Sequence, residues 1–189
     1  MNRITQLDPA NATGKTQQLF DGVQAKLGIV PNLFRVLGNS PAALAGYLNF
    51  SGALATGVLS VKVREQIALA VAEINYCGYC LSAHTFLGGK AGLAESEIIA
   101  ARKVEALDEH TAAILSLARS VVVQRGELSP AEFQAARTAN LTDAEIVETV
   151  ANVAVNILTN YLNHVAQTVV DFPEVKPGVA EAQKEAGRA

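Results

Sequence analysis

Apolar positions along this chain recur every three or four residues, the period of a helix face, and no segment alternates as a half-buried strand does. From Val61 to Ile74 the residues are apolar on most sides, with Ile67, Ala68, Leu69, Ala70, Val71 and Ala72 in one run. Such a helix is expected deep in a core. Asn75 and Gly78 interrupt the run, predicting a break near Tyr76 and a second helix from about Cys77 to Gly88, Gly89 and Gly92. Glu95 to Lys103 reads as a further short helix, acidic at its start and basic at its end. Asp8-Pro9, Ser40-Pro41 and Ser129-Pro130 each set a proline behind a capping side chain, an arrangement that opens helices. Ser129 to Glu132 and Thr142 to Glu145 read as capping boxes, Asp108 as the start of a helix ending near Gly126, and Gly28 and Gly38 as stops. The pattern predicts an all-α bundle of six or more helices.

Displacing the chain by eighty positions pairs Glu65 with Glu145, Ile67 with Val147 and His84 with His164. This suggests a degenerate repeat of residues 54–92 in 134–172, within a single domain over 1–172. Ile157 and Asn160 would then stand where the first copy has Cys77 and Cys80. From Pro173 the chain becomes polar, with Pro177 and Gly178, and residues 173–189 read as a loosely ordered tail.

Composition narrows the function. A chain of 189 residues buries roughly 70% of its unfolded surface and needs no staples to hold a core. Half its residues are hydrophobic, but only 5% are aromatic and tryptophan is absent, so the core is built from Ala, Leu, Val and Ile. The net charge of −3 leaves no basic stripe for nucleic acid and no Lys/Arg cluster for an anionic membrane. No run is long enough to span a bilayer, and Met1 to Gln6 lacks the apolar stretch of a signal peptide, so a cytoplasmic location is expected. The apolar surplus in so small a chain predicts a homo-oligomer.

The distinctive chemistry converges on Cys77-Gly78-Tyr79-Cys80-Leu81-Ser82-Ala83-His84, which holds both cysteines and one of three histidines. A Cys-x-x-Cys at a helix entrance closes into a disulfide without large backbone movement. So small a loop constrains the unfolded chain little, so the pair suits redox cycling better than stapling. A thiol of pKa about 8.5 is only ~3% thiolate at pH 7, whereas one tuned to about 6.5 is ~75% thiolate, a ~25-fold gain in the reactive form. The partial positive charge at the helix N-terminus and a proton acceptor at His84, one turn after Cys80, supply that tuning. An imidazole that cycles protons works best with an anionic partner. Glu65 and Glu73, on the preceding apolar helix, are the candidates.

The pattern Glu65, eleven residues, Cys77-x-x-Cys80, three residues, His84 resembles the active-site signature of the alkylhydroperoxidase D family, within the carboxymuconolactone decarboxylase-like superfamily. The helical remainder, including Asn156 to His164, is similar to the family's longer, peroxidase-related members. The resemblance implies an alkylhydroperoxidase D-like helical bundle acting as a thiol peroxidase or disulfide oxidoreductase, with no bound metal or organic cofactor. It implies that Cys80 attacks the hydroperoxide, that Cys77 resolves the product as a disulfide, and that His84 and Glu65 relay the proton. A dithiol protein or small thiol would then regenerate the pair. Family members often carry a histidine just before the second cysteine, where this chain has Tyr79. Tyr79, His164 and Glu73 are further candidates for supporting the site.

Two other readings compete. An acid–base decarboxylase or lactone-processing enzyme of the same superfamily has no need of two thiols. A non-catalytic redox sensor or zinc-binding module would use Cys77, Cys80 and His84 with His164 or Glu65, but the helical spacing lacks the paired knuckles of structural zinc sites. His110, near a helix start, reads as structural. Gly14-Lys15-Thr16 matches only the end of a phosphate loop, with Pro9 where the first glycine belongs.

Overall fold

The computed structural model describes residues 2–179, which form nine α-helices and no strand. In chain order these are α1 (Gly14–Leu27), α2 (Asn32–Leu37), α3 (Pro41–Leu54), α4 (Val61–Ile74), α5 (Gly78–Lys90), α6 (Glu95–Arg102), α7 (Glu109–Gln124), α8 (Pro130–Thr138) and α9 (Asp143–Ala166). The all-α expectation therefore holds. No helix among the described residues is long and apolar enough to cross a membrane.

α4 is the hub. Every side chain from Gln66 to Glu73 is buried, and the helix meets α5, α6, α7 and α9. Alanines at 68, 70 and 72 let neighbouring axes approach from several sides, while Ile67, Leu69 and Val71 fill the gaps between them. α3 lies on α9, α1 on α3, and α8 on α7.

Two local devices fix the ends of α4. At its start, the Glu148 carboxylate of α9 accepts the Val58 and Leu59 amides at 2.8 and 3.0 Å. Gly57 passes so close to that carboxylate that a Cβ there would overlap it. At its end Tyr76 adopts a left-handed φ of 55°, and the Cys77 amide donates back to the Ala72 carbonyl at 2.9 Å. This turn is the predicted break, and it sets Cys77 as the N-cap of α5.

Several expectations need correction. Asp8-Pro9 opens only a three-residue 3-10 turn, because Ala12 and Thr13 are extended, and α1 starts at Gly14. Gly88 and Gly89 do not end α5, which runs to Lys90; Gly88 instead admits the Leu93 side chain, which a Cβ would meet at 3.1 Å. Residues 173–179 are not loose: Val175 donates its amide to Ser82 Oγ at 2.9 Å, and the Lys176 carbonyl accepts from Arg102 at 2.8 Å. The remainder of the expected tail, 180–189, lies outside the described residues. In the suggested repeat, α9 runs unbroken through the positions aligned with the α4–α5 turn.

Candidate active site

Cys77 and Cys80 form a disulfide across the first turn of α5, with Cα atoms 5.3 Å apart. Both are almost fully buried, at 1% and 3% exposure. Cys77 Sγ also accepts the Cys80 amide at 3.3 Å, as a capping side chain does. The sulfurs thus lie at the positive end of the α5 dipole.

One turn on, His84 Nδ1 lies 2.8 Å from Glu65 Oε2 of α4, with the two side chains 21% and 17% exposed. The structure brings these two predicted residues together. With Nδ1–H held by the carboxylate, Nε2 is the free basic nitrogen. His84 lines two spaces: a polar one of about 80 Å³ shared with Glu65, Arg64, Asn152 and Asn156, and a mostly apolar cavity of about 280 Å³ shared with Tyr47, Tyr79, Phe34, Phe86 and Phe172.

The three supporting candidates have other partners. Glu73 accepts Arg102 Nε at 2.8 Å and the amides of Gly178 and Val179. It anchors the 173–179 segment and is no competitor for the histidine. Tyr79 accepts the Leu33 amide on its hydroxyl at 3.0 Å and meets Phe172 edge-on at 5.9 Å. Burial, outweighing that hydrogen bond, pushes its phenol far above the usual range, so it stays protonated and forms a wall of the apolar cavity. His164 donates from Nε2 to the Asn75 carbonyl at 2.8 Å and is exposed. It shares a shallow depression of about 170 Å³ with Cys77, Gly78 and Asn163, on the Cys77 side of the disulfide. His110, read as structural, pairs with Glu145 at 2.7 Å.

Sequence reasoning missed Asn163. Its Nδ2 donates to Cys80 Sγ at 3.3 Å, while its Oδ1 is buried without a hydrogen-bond partner. The signal was present: Thr149, Asn152, Asn156, Thr159, Asn160 and Asn163 recur at helical spacing and are all buried. Among the described residues no group of three or more His, Cys, Asp and Glu side chains is placed to hold a metal ion.

Residues 41–122, from α3 through most of α7, match the model of the carboxymuconolactone decarboxylase family. Among solved structures, the chain resembles a peroxidase-related protein with an alkylhydroperoxidase AhpD core from Ralstonia eutropha JMP134, at 25% identity over 90% of this chain and 92% of that one, TM-score 0.77. It likewise resembles a peroxidase-related protein from Silicibacter sp. TM1040, at 25% identity over 88% and 92% of the two chains, TM-score 0.75. The debrominase Bmp8, solved with 2,3,4-tribromopyrrole as a cysteine-to-alanine variant, shares the fold at 16% identity over 98% and 97%, TM-score 0.75. No curated protein sequence matches the chain.

Proposed function

Because the chain is an alkylhydroperoxidase D-like member of the carboxymuconolactone decarboxylase superfamily, we propose that it is a thiol-dependent peroxidase that reduces organic hydroperoxides through Cys77 and Cys80. The observation that carries this reading is the Glu65–His84 pair at 2.8 Å, one helical turn from a closed Cys-x-x-Cys disulfide.

In the reduced protein His84 Nε2 takes the Cys80 proton, and Glu65 holds the imidazolium that results. The Cys80 thiolate attacks the terminal peroxide oxygen, the O–O bond breaks, and the departing alkoxide takes the proton back from His84. The products are an alcohol and a Cys80 sulfenic acid. The Cys77 thiol then attacks that sulfur, expelling water and forming the disulfide. An external thiol reaching Cys77 through the depression beside His164 opens the bond with Cys80 as the leaving thiolate, and a second thiol completes the reduction. Asn163 Nδ2 and the first-turn amides of α5 support Cys80 whenever it is anionic.

Self-association belongs to the same proposal. Val147, Val150, Leu158, Tyr161 and Val165 form an exposed stripe along the outer face of α9, 44–66% exposed. At heptad-like spacing they suit a second copy of that helix. A reducing cytoplasm, the expected location, would supply the thiols.

The test measures hydroperoxide consumption with a dithiol as reductant by wild type, Cys80→Ser and Cys77→Ser, with 2,3,4-tribromopyrrole as a second electron acceptor. Turnover should vanish in Cys80→Ser, whereas Cys77→Ser should give one turnover and a sulfenic acid that dimedone traps. Peroxide turnover that survives Cys80→Ser would refute attack by Cys80. Turnover confined to the bromopyrrole would replace the peroxide reading.

A further inference from the structure

The apolar cavity beside His84 has a polarity that the peroxide chemistry alone does not require. Its body is formed by Leu27, Ile29, Phe34, Phe86, Leu87 and Phe172. Its polar groups are His84, the two tyrosines and, among its lining residues, Lys26 and Lys90; no carboxylate lines it. Lys26 is in the last turn of α1 and Lys90 is the last residue of α5. Both are exposed. Neither pairs with a carboxylate among the described residues. The Lys90 ammonium is held 4.5 Å from the Phe86 ring centroid, on a side chain of the cavity itself. In a chain whose net charge is −3, two unneutralised cations at one apolar cavity form a local reversal of sign.

Resting on the peroxidase reading above, we infer that the preferred substrate is an amphiphilic hydroperoxide carrying an anionic group, a carboxylate above all, at the end remote from the peroxide. The peroxide lies at His84, the hydrocarbon body lies on the aromatic and aliphatic walls, and the carboxylate meets Lys26 and Lys90. Lys90 follows His84 by six residues on one helix, so the two positions are separated by roughly 9 Å along the α5 axis. The substrate's two ends are therefore a medium-length acyl chain or one substituted ring apart, and neither hydrogen peroxide nor a short alkyl hydroperoxide spans them. A neutral ester of the same body would fill the cavity but leave the two ammonium groups unpaired. Discrimination between acid and ester then weakens with salt, because the lysines are exposed and screened.

The decisive experiment uses full-length protein reduced beforehand, so that no reductant competes for the cavity. Its oxidation by a fatty-acid hydroperoxide and by the methyl ester of that compound is followed by quenched-flow thiol titration at low ionic strength. The acid should react roughly 2- to 30-fold faster than the ester in wild type, as two screened ion pairs allow. In Lys26→Met/Lys90→Met that advantage, read as the acid-to-ester rate ratio within each protein, should collapse, with thermal unfolding of the variant as the check on its fold. Equal rates for acid and ester in wild type, or an advantage that persists in the double variant, would overturn the inference while leaving the peroxidase reading intact. If no hydroperoxide oxidises the protein, the peroxidase reading fails and the cavity's charge preference is read by calorimetry with octanoate and 1-octanol. Octanoate binding that is tighter than that of the alcohol and lost in the double variant sustains the anionic preference; indifference to charge refutes it.

Discussion

Replacing Glu65 by glutamine tests the proton relay with the least steric change. The side chain keeps its size and its reach to His84, but an amide cannot stabilise an imidazolium as a carboxylate does. A hydrogen bond to a charged partner is worth about 1.5–3 kcal/mol when sheltered. The pair is about one-fifth exposed, which takes its worth toward the lower part of that range, about 1.5–2 kcal/mol. That corresponds to a loss of roughly 10- to 30-fold in kcat/KM for hydroperoxide. The chain has no tryptophan, so the oxidation step is followed by chemical quench and thiol titration. His84→Gln should cost at least as much, and the double variant should be no slower than His84→Gln alone, since Glu65 acts through the imidazole. Wild-type rates in Glu65→Gln, or losses that add fully in the double variant, would refute the relay. Thermal unfolding of each variant checks that the rates report chemistry and not folding.

Arg102→Met strands the Glu73 carboxylate, 5% exposed beneath the 173–179 segment, and should destabilise the protein by about 3 kcal/mol, lowering Tm by roughly 6–12 °C. In a Glu73→Gln background the same change should cost much less. His110 is raised by its hydrogen bond to Glu145, and Glu145 is lowered chiefly by the Thr142 amide and then by His110. The histidine's contribution is complete below its ordinary value of 6.5 and lost as pH rises through the raised one, while the glutamate's is complete above 4.5 and lost as pH falls through the lowered one. Since His110 is 46% exposed, screening limits the pair to under about 1 kcal/mol, and the Tm difference between wild type and His110→Ala should be largest between those two values and fade by pH 9. Asn163→Leu should leave Tm equal or higher, yet slow alkylation of reduced Cys80 by roughly 3- to 10-fold, as expected for losing one hydrogen bond to the thiolate. Wild-type alkylation in that variant would remove Asn163 from the mechanism.

What the sequence disclosed and what it hid divide along a physical line. The α4–α5 break and the caps at Ser129 and Thr142 follow from short-range rules, turn chemistry and capping spacing; the approach of Glu65 on α4 to His84 on α5 does not, and is expected only from the resemblance to the alkylhydroperoxidase D signature. The polar 173–179 segment misled because its amides are satisfied by Glu73 and Ser82, about a hundred residues earlier, which no local composition reveals. Glu73 itself was ambiguous for the same reason, since its partner Arg102 belongs to another helix. Asp8-Pro9 carries a true capping signal, with Asp8 accepting the Ala10 amide at 3.0 Å, but propagation past Asn11 fails because the next residues extend into α1. The apolar cavity was invisible for a related reason, as its walls come from α1, α2, α3, α5 and the segment after α9.

α9 shows why its half of the site escaped attention, and why its residues are informative now. A structural helix of 24 residues would be expected to bury mainly leucine and valine; α9 buries four asparagines and two threonines beside Val153, Val155 and Ala166, and leaves five large apolar side chains at 44–66% exposure. A buried amide lacking partners costs about 1–3 kcal/mol, so such a stripe persists in stable form only where its members are satisfied. Asn152 and Asn156 meet that demand on carbonyls one turn back, and Thr159 does so on Asn156. Asn160 and Asn163 are each half-satisfied: Asn160 accepts from Asn75 but its Nδ2 has no partner, and Asn163 leaves its oxygen unpaired while its donor meets the Cys80 sulfur, the feature that sets it apart. A side chain held at a loss beside a reactive atom is better explained by what that atom must become than by what the fold requires. That is why Asn163→Leu is expected to move stability and thiol reactivity in opposite directions, an outcome a purely architectural asparagine would not give.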